Sequence, residues 1–87
     1  MASPREIQST CTEVVRLLQT ERERQELAML TVAERSGLSQ QMVSYVERGM
    51  RRPTLETVLR MADALGVDLA DLLRQAQSVP KAKPRRK

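Results

Sequence analysis

Apolar residues recur along most of the chain at helical spacing, and most of the gaps between them carry start and stop signals. Ile7, Cys11, Val14 and Leu18 follow at steps of four, three and four, one stripe of an amphipathic helix that Val15 and Leu17 widen. Ser3-Pro4-Arg5-Glu6 ahead of them is a capping box with proline in the first helical position. A charged stretch from Glu21 to Arg24 follows, and nothing in Gln25-Glu26-Leu27-Ala28-Met29 is a Gly, a Pro or a capping residue. Either the helix breaks within 24–29 or one long helix runs over 4–36. Gly37 then closes a segment containing Val32 and Ala33, and Ser39 caps another from Gln40 to Arg48, closed by Gly49. Pro53-Thr54 precedes Leu55, Val58, Leu59, Ala62 and Leu65, a stripe ended by Gly66. Asp68 caps a last helix through Leu69, Leu72 and Leu73, with Asp71 at its third position. The pattern predicts an all-α fold of five helices joined by short turns.

Composition narrows what such a fold can do. With 87 residues there is room for one domain, and with one Tyr and no Phe or Trp its core must be aliphatic. Histidine is absent and Cys11 is the single cysteine, so neither an internal disulfide nor a usual zinc site can be assembled. The common acid–base and triad chemistries also need histidine. The longest apolar run, Leu27-Ala28-Met29-Leu30, is far short of the roughly 20 residues of a membrane helix. These observations predict a non-enzymatic, cytoplasmic domain without metal or cofactor. Cys11 lies on the apolar stripe, where a thiol is expected to be buried and inert.

The net charge of +4 is a weak signal because of where it sits. Lys81, Lys83, Arg85, Arg86 and Lys87 fall in the last seven residues, and residues 1–80 carry ten basic against eleven acidic side chains. Any electrostatic footprint on the folded part must come from local clustering. Pro80 opens that tail, which lacks apolar periodicity and is read as disordered.

The two short segments around Gly37 match a helix-turn-helix in spacing and chemistry. Ala33 sits where the helices press together, Gly37 makes the turn, and Leu38, Val43 and Val46 face the core. That leaves Gln40, Gln41, Ser44, Tyr45 and Arg48 on the opposite face, mostly uncharged and rich in amides. A Gln amide can both donate to and accept from the major-groove edge of adenine. A merely solvated face is the plain alternative.

Longer blocks favour the first reading. Gly37-Leu38-Ser39, Val46-Glu47-Arg48-Gly49, Pro53-Thr54-Leu55-Glu56-Thr57 and Ala64-Leu65-Gly66-Val67-Asp68 stand in the order and spacing of the Cro/C1 (XRE-type) helix-turn-helix family, which residues 27–73 resemble. The resemblance implies a lambda-repressor-like, five-helix DNA-binding domain that binds double-stranded DNA as a homodimer and usually represses transcription. It places Gln40, Gln41, Ser44 and Tyr45 at base-reading positions of a recognition helix over 40–48. Arg48, Arg51, Arg52, Thr54 and the amide of Leu55 fall at phosphate-binding positions, and Arg22 is expected to pair with Glu47 across the domain. A surface pair of Glu47 with Arg51 is the local alternative. The chain also departs from the family. Ala28 and Met29 stand where a Ser or Thr cap and a phosphate-gripping Gln are usual, and Glu26 replaces the usual turn glycine. The expected organisation is an extended N-terminal helix over 1–26 joined to a core over 27–77, with a basic tail over 78–87. A protein-binding adaptor or antitoxin that kept the fold is the competing function.

Overall fold

A computed structural model describes residues 2–78, which form five α-helices: α1 Pro4–Arg24, α2 Met29–Ser36, α3 Gln40–Glu47, α4 Leu55–Leu65 and α5 Leu69–Ser78. The expected tail lies outside the described residues from position 79 onward, and Ser78 still belongs to α5. Four helix starts are chemically explicit. The Ser3 hydroxyl accepts from the Glu6 amide at 3.2 Å while the Glu6 carboxylate accepts from the Ser3 amide at 2.8 Å. Ser39 accepts from the Met42 amide at 3.0 Å, Thr54 from Thr57 at 3.1 Å and Asp68 from Ala70 at 3.0 Å. Each supplies an acceptor to a first-turn N–H that the helix itself cannot satisfy.

The open question at the end of α1 is settled by an uncapped turn. Gln25 ends the helix and Glu26 takes φ 58°, the one non-glycine residue with left-handed backbone among those described. The Leu27 amide then reaches back to the Arg22 carbonyl at 3.1 Å. A left-handed L-residue carries a steric cost of about 1–2 kcal/mol that glycine does not. Glu26→Gly should therefore stabilise the domain by about 1 kcal/mol after the added freedom of the unfolded chain is discounted, read as a raised urea midpoint at unchanged m. An unchanged or lowered midpoint would show that the Glu26 side chain compensates its backbone.

All five helices contribute to one aliphatic core: Val14 and Leu18 of α1, Val32 and Ala33 of α2, Val43 and Val46 of α3, Met61, Ala62, Ala64 and Leu65 of α4, and Leu72 and Ala76 of α5. Leu38 packs against its edge. Three side chains then tie helix ends together across the domain. Gln25 donates to the Leu65 carbonyl at 2.7 Å, Arg35 to the Ala64 carbonyl at 3.4 Å and Arg60 to the Ser36 carbonyl at 3.1 Å. These carbonyls lie in the last turns of α4 and α2, where no intrahelical donor remains. The α2–α3 turn also needs Gly37 itself. Its φ is 76°, and a Cβ there would come within 3.1 Å of the Arg60 guanidinium that holds Ser36.

Two apolar stripes reach further than the core does. Ile7 and Cys11 are exposed although they continue the line of Val14 and Leu18, so the inert, buried thiol expected from the stripe is not found. The first turns of α1 extend past the buried layer, and nothing among the described residues covers them on that side. On α4, Val58 is half-buried, but Leu55 and Leu59 are 68% and 49% exposed. Glu13–Arg16 and Glu21–Arg24 are surface ion pairs one turn apart on α1. Hydrogen bonds from the arginines hold both carboxyls below their usual pKa. Their stabilisation is therefore present above the ordinary carboxylate value and fades as pH falls through the lowered one. Exposure to solvent keeps it small.

Candidate nucleic-acid interface

Helix α3 is anchored by its buried face, which fixes what its other face presents. Val43 and Val46 are fully buried, and Ser39 caps the first turn. Gln40 and Gln41 are exposed on the opposite side, while Ser44 and Tyr45 are half-buried. The Gln41 amide nitrogen donates to the Tyr45 hydroxyl at 2.6 Å, and the Arg51 guanidinium lies 5.8 Å from the centre of the Tyr45 ring. Gln41, Tyr45 and Arg51 thus form one connected line from the start of α3 to the following loop. The helix ends at Glu47, and Arg48 is its cap rather than its last turn, one residue short of the expected span.

Behind this face lies the most buried ion pair among the described residues. The Arg22 guanidinium donates from Nε to one Glu47 carboxylate oxygen at 2.7 Å and from Nη2 to the other at 3.0 Å. Its remaining Nη1 donates to the Leu27 carbonyl at 2.8 Å. The Glu47 side chain is 2% exposed and that of Arg22 13%. Hydrogen bonding to Glu47 is the main cause that raises the Arg22 pKa above its usual value. The stabilisation is therefore complete below the ordinary arginine pKa and is lost only at strongly alkaline pH. Glu47 has no ion pair with Arg51 among the described residues.

The loop after α3 folds back on Tyr45, whose carbonyl accepts from the Met50 amide at 2.9 Å and the Arg51 amide at 3.3 Å. Arg48, Arg51 and Arg52 are exposed and make no ion pair among the described residues. Thr54 caps α4, so the Leu55 amide opens that helix and points its N–H out of the first turn. Glu56 adds a negative charge there, partly balanced by Arg60 at 2.9 Å. At the start of α2, Ala28 supplies no side-chain cap and Met29 packs against the core, so neither offers a side-chain donor. The residues expected from the sequence thus lie on α3, in the loop that follows it and at the start of α4. Gln25, Arg35 and Arg60, which tie one helix to the end of another, have no signature in local sequence.

A model of the helix-turn-helix family matches residues 18–72, well over half of the chain. The chain belongs to the Cro/C1-type helix-turn-helix family of DNA-binding transcriptional regulators. Two relatives of this helix-turn-helix protein are uncharacterised HTH-type transcriptional regulators. One, from Sinorhizobium fredii, is 45% identical over 49 residues, covering 56% of this chain and 64% of its own length. The other, from Mycobacterium tuberculosis, is 40% identical over 50 residues, covering 58% of this chain and 36% of its own. The match therefore spans less than two thirds of either relative. Among solved structures, a single-site mutant of a restriction–modification controller protein superposes with a TM-score of 0.72 at 18% identity, covering 77% of this chain and 87% of that one. The superposition establishes a shared fold. No described helix of this helix-turn-helix protein is long and apolar enough to cross a membrane.

Proposed function

We propose that the chain is a sequence-specific transcriptional repressor that binds a palindromic operator as a homodimer. The observation that carries this reading is the face of α3, with exposed Gln40 and Gln41 opposite fully buried Val43 and Val46. Side chains at the N-terminal end of a recognition helix reach base edges. Gln40, Gln41, Ser44 and Tyr45 read bases in this reading, while Arg48, Arg51, Arg52, Thr54 and the Leu55 amide hold phosphates on the flanking strand. Selection from random double-stranded DNA should return two inverted half-sites about one helical turn apart. Failure to enrich any sequence would move the adaptor or antitoxin reading, favoured by the missing donors at Ala28 and Met29, to first place.

The homodimer needs an apolar surface outside the core. Leu55 and Leu59, one turn apart on α4, and Leu73 of α5 supply exposed apolar side chains. Leu59→Glu should weaken self-association at least about tenfold, since burying a Leu is worth about 1.5–3 kcal/mol and a two-fold interface uses it twice. Sedimentation velocity checks this, with an unchanged helical circular dichroism spectrum as the control. Wild-type-like association would move the interface to the Ile7 side of α1.

A further inference from the structure

Gln8, Cys11, Thr12, Val15 and Arg16 of α1 lie outside the segment that the family model matches, yet they build most of one wall of a cleft. The opposite wall is the end of α3 and the loop that follows it. The cleft has a volume of about 450 Å³, within the range of small-molecule sites. Cys11, Val15 and Pro53 give it an apolar floor, and Arg48, Arg51 and Arg52 stand on its far side without ion-pair partners among the described residues. Glu47 also borders it, but both its oxygens are taken by Arg22, and Arg16 on the near wall is matched by Glu13. The uncompensated charge facing the cleft is therefore positive.

We infer that this cleft binds a small organic anion: an aromatic or aliphatic body against Cys11, Val15 and Pro53, with a carboxylate held by the loop arginines. A bare phosphodiester would leave the apolar floor unused, whereas an amphipathic carboxylate satisfies both halves. Guanidinium forks suit carboxylate oxygens in bidentate geometry. Because Arg51 and Arg52 are also the proposed phosphate contacts, an occupied cleft withdraws them from DNA. That second consequence rests on the DNA-binding reading, while occupancy of the cleft does not.

Cys11 is an internal reporter, since it is exposed, lines the cleft and is the single cysteine of the chain. The test measures the rate of its reaction with a neutral alkylating reagent, with 1-naphthoate as probe. A ligand of that size at ordinary efficiency binds with a Kd of about 1 mM, so about 10 mM should slow alkylation roughly tenfold. Arg52→Ala should remove the protection, and 1-naphthylmethylamine, which has the same ring and the opposite charge, should give none. No protection by naphthoate, equal protection by the amine, or protection by naphthoate that survives Arg52→Ala and Arg48→Ala together would each overturn the inference. Protection by an operator fragment but not by naphthoate would also overturn it and assign the cleft to the DNA surface. Naphthoate protection in a chain that selects no DNA sequence would uphold the cleft while removing the DNA-binding reading.

Discussion

Glu47→Ala should lower the stability of the domain by about 3–5 kcal/mol, read as a fall in the urea midpoint. The size follows from burial. Truncation leaves the Arg22 guanidinium, 13% exposed, without the carboxylate that accepts two of its hydrogen bonds. A stranded buried charge costs far more than the net worth of the intact pair, and a domain of this length has of order 4–13 kcal/mol in total. Arg22→Ala should be at least as damaging, because it strands Glu47 and also frees the Leu27 carbonyl. The double variant should be little worse than either single one. Two small and additive losses would show instead that water compensates both groups in the folded state.

The second large effect concerns DNA discrimination. Gln40→Ala and Gln41→Ala should each remove about 1–3 kcal/mol of preference at one position of every half-site, the range of a bidentate base contact. Stability should change by less than about 0.5 kcal/mol, since both side chains are exposed and outside the core. Arg52→Ala should instead weaken all sequences alike, because phosphate contacts position without specifying. Competition binding against a panel of single-base operator variants separates the two patterns. If both Gln variants keep the wild-type sequence preference, this face does not read DNA.

Much of the fold is legible where local chemistry alone decides. Ser3, Ser39, Thr54 and Asp68 each announce a helix start, and Gly37 and Gly66 adopt the left-handed caps that their positions imply. The end of α1 was ambiguous because the residue that turns the chain is Glu26, and nothing in its side chain advertises left-handed backbone. The exposure of Cys11, Leu55 and Leu59 was hidden for a different reason. Periodicity says which face of a helix is apolar, but how far a facing helix extends along it is a property of the assembled domain. The same holds for Gln25, Arg35 and Arg60, whose carbonyl partners are 24 to 40 residues away. The helix face carrying Gln40 and Gln41 was legible because burying Val43 and Val46 leaves those positions nowhere else to go.

Tyr45 is the chain's single aromatic residue, and it stands between Gln41 and Arg51 on the outward face of α3. All absorbance at 280 nm and all intrinsic fluorescence of the unlabelled protein therefore originate at that one spot. The optical signal ordinarily used to follow a hydrophobic core is here blind to the aliphatic interior. It reports instead on the hydroxyl that accepts from Gln41 and the ring beside Arg51, so the molecule carries its own chromophore at the surface where a ligand would land.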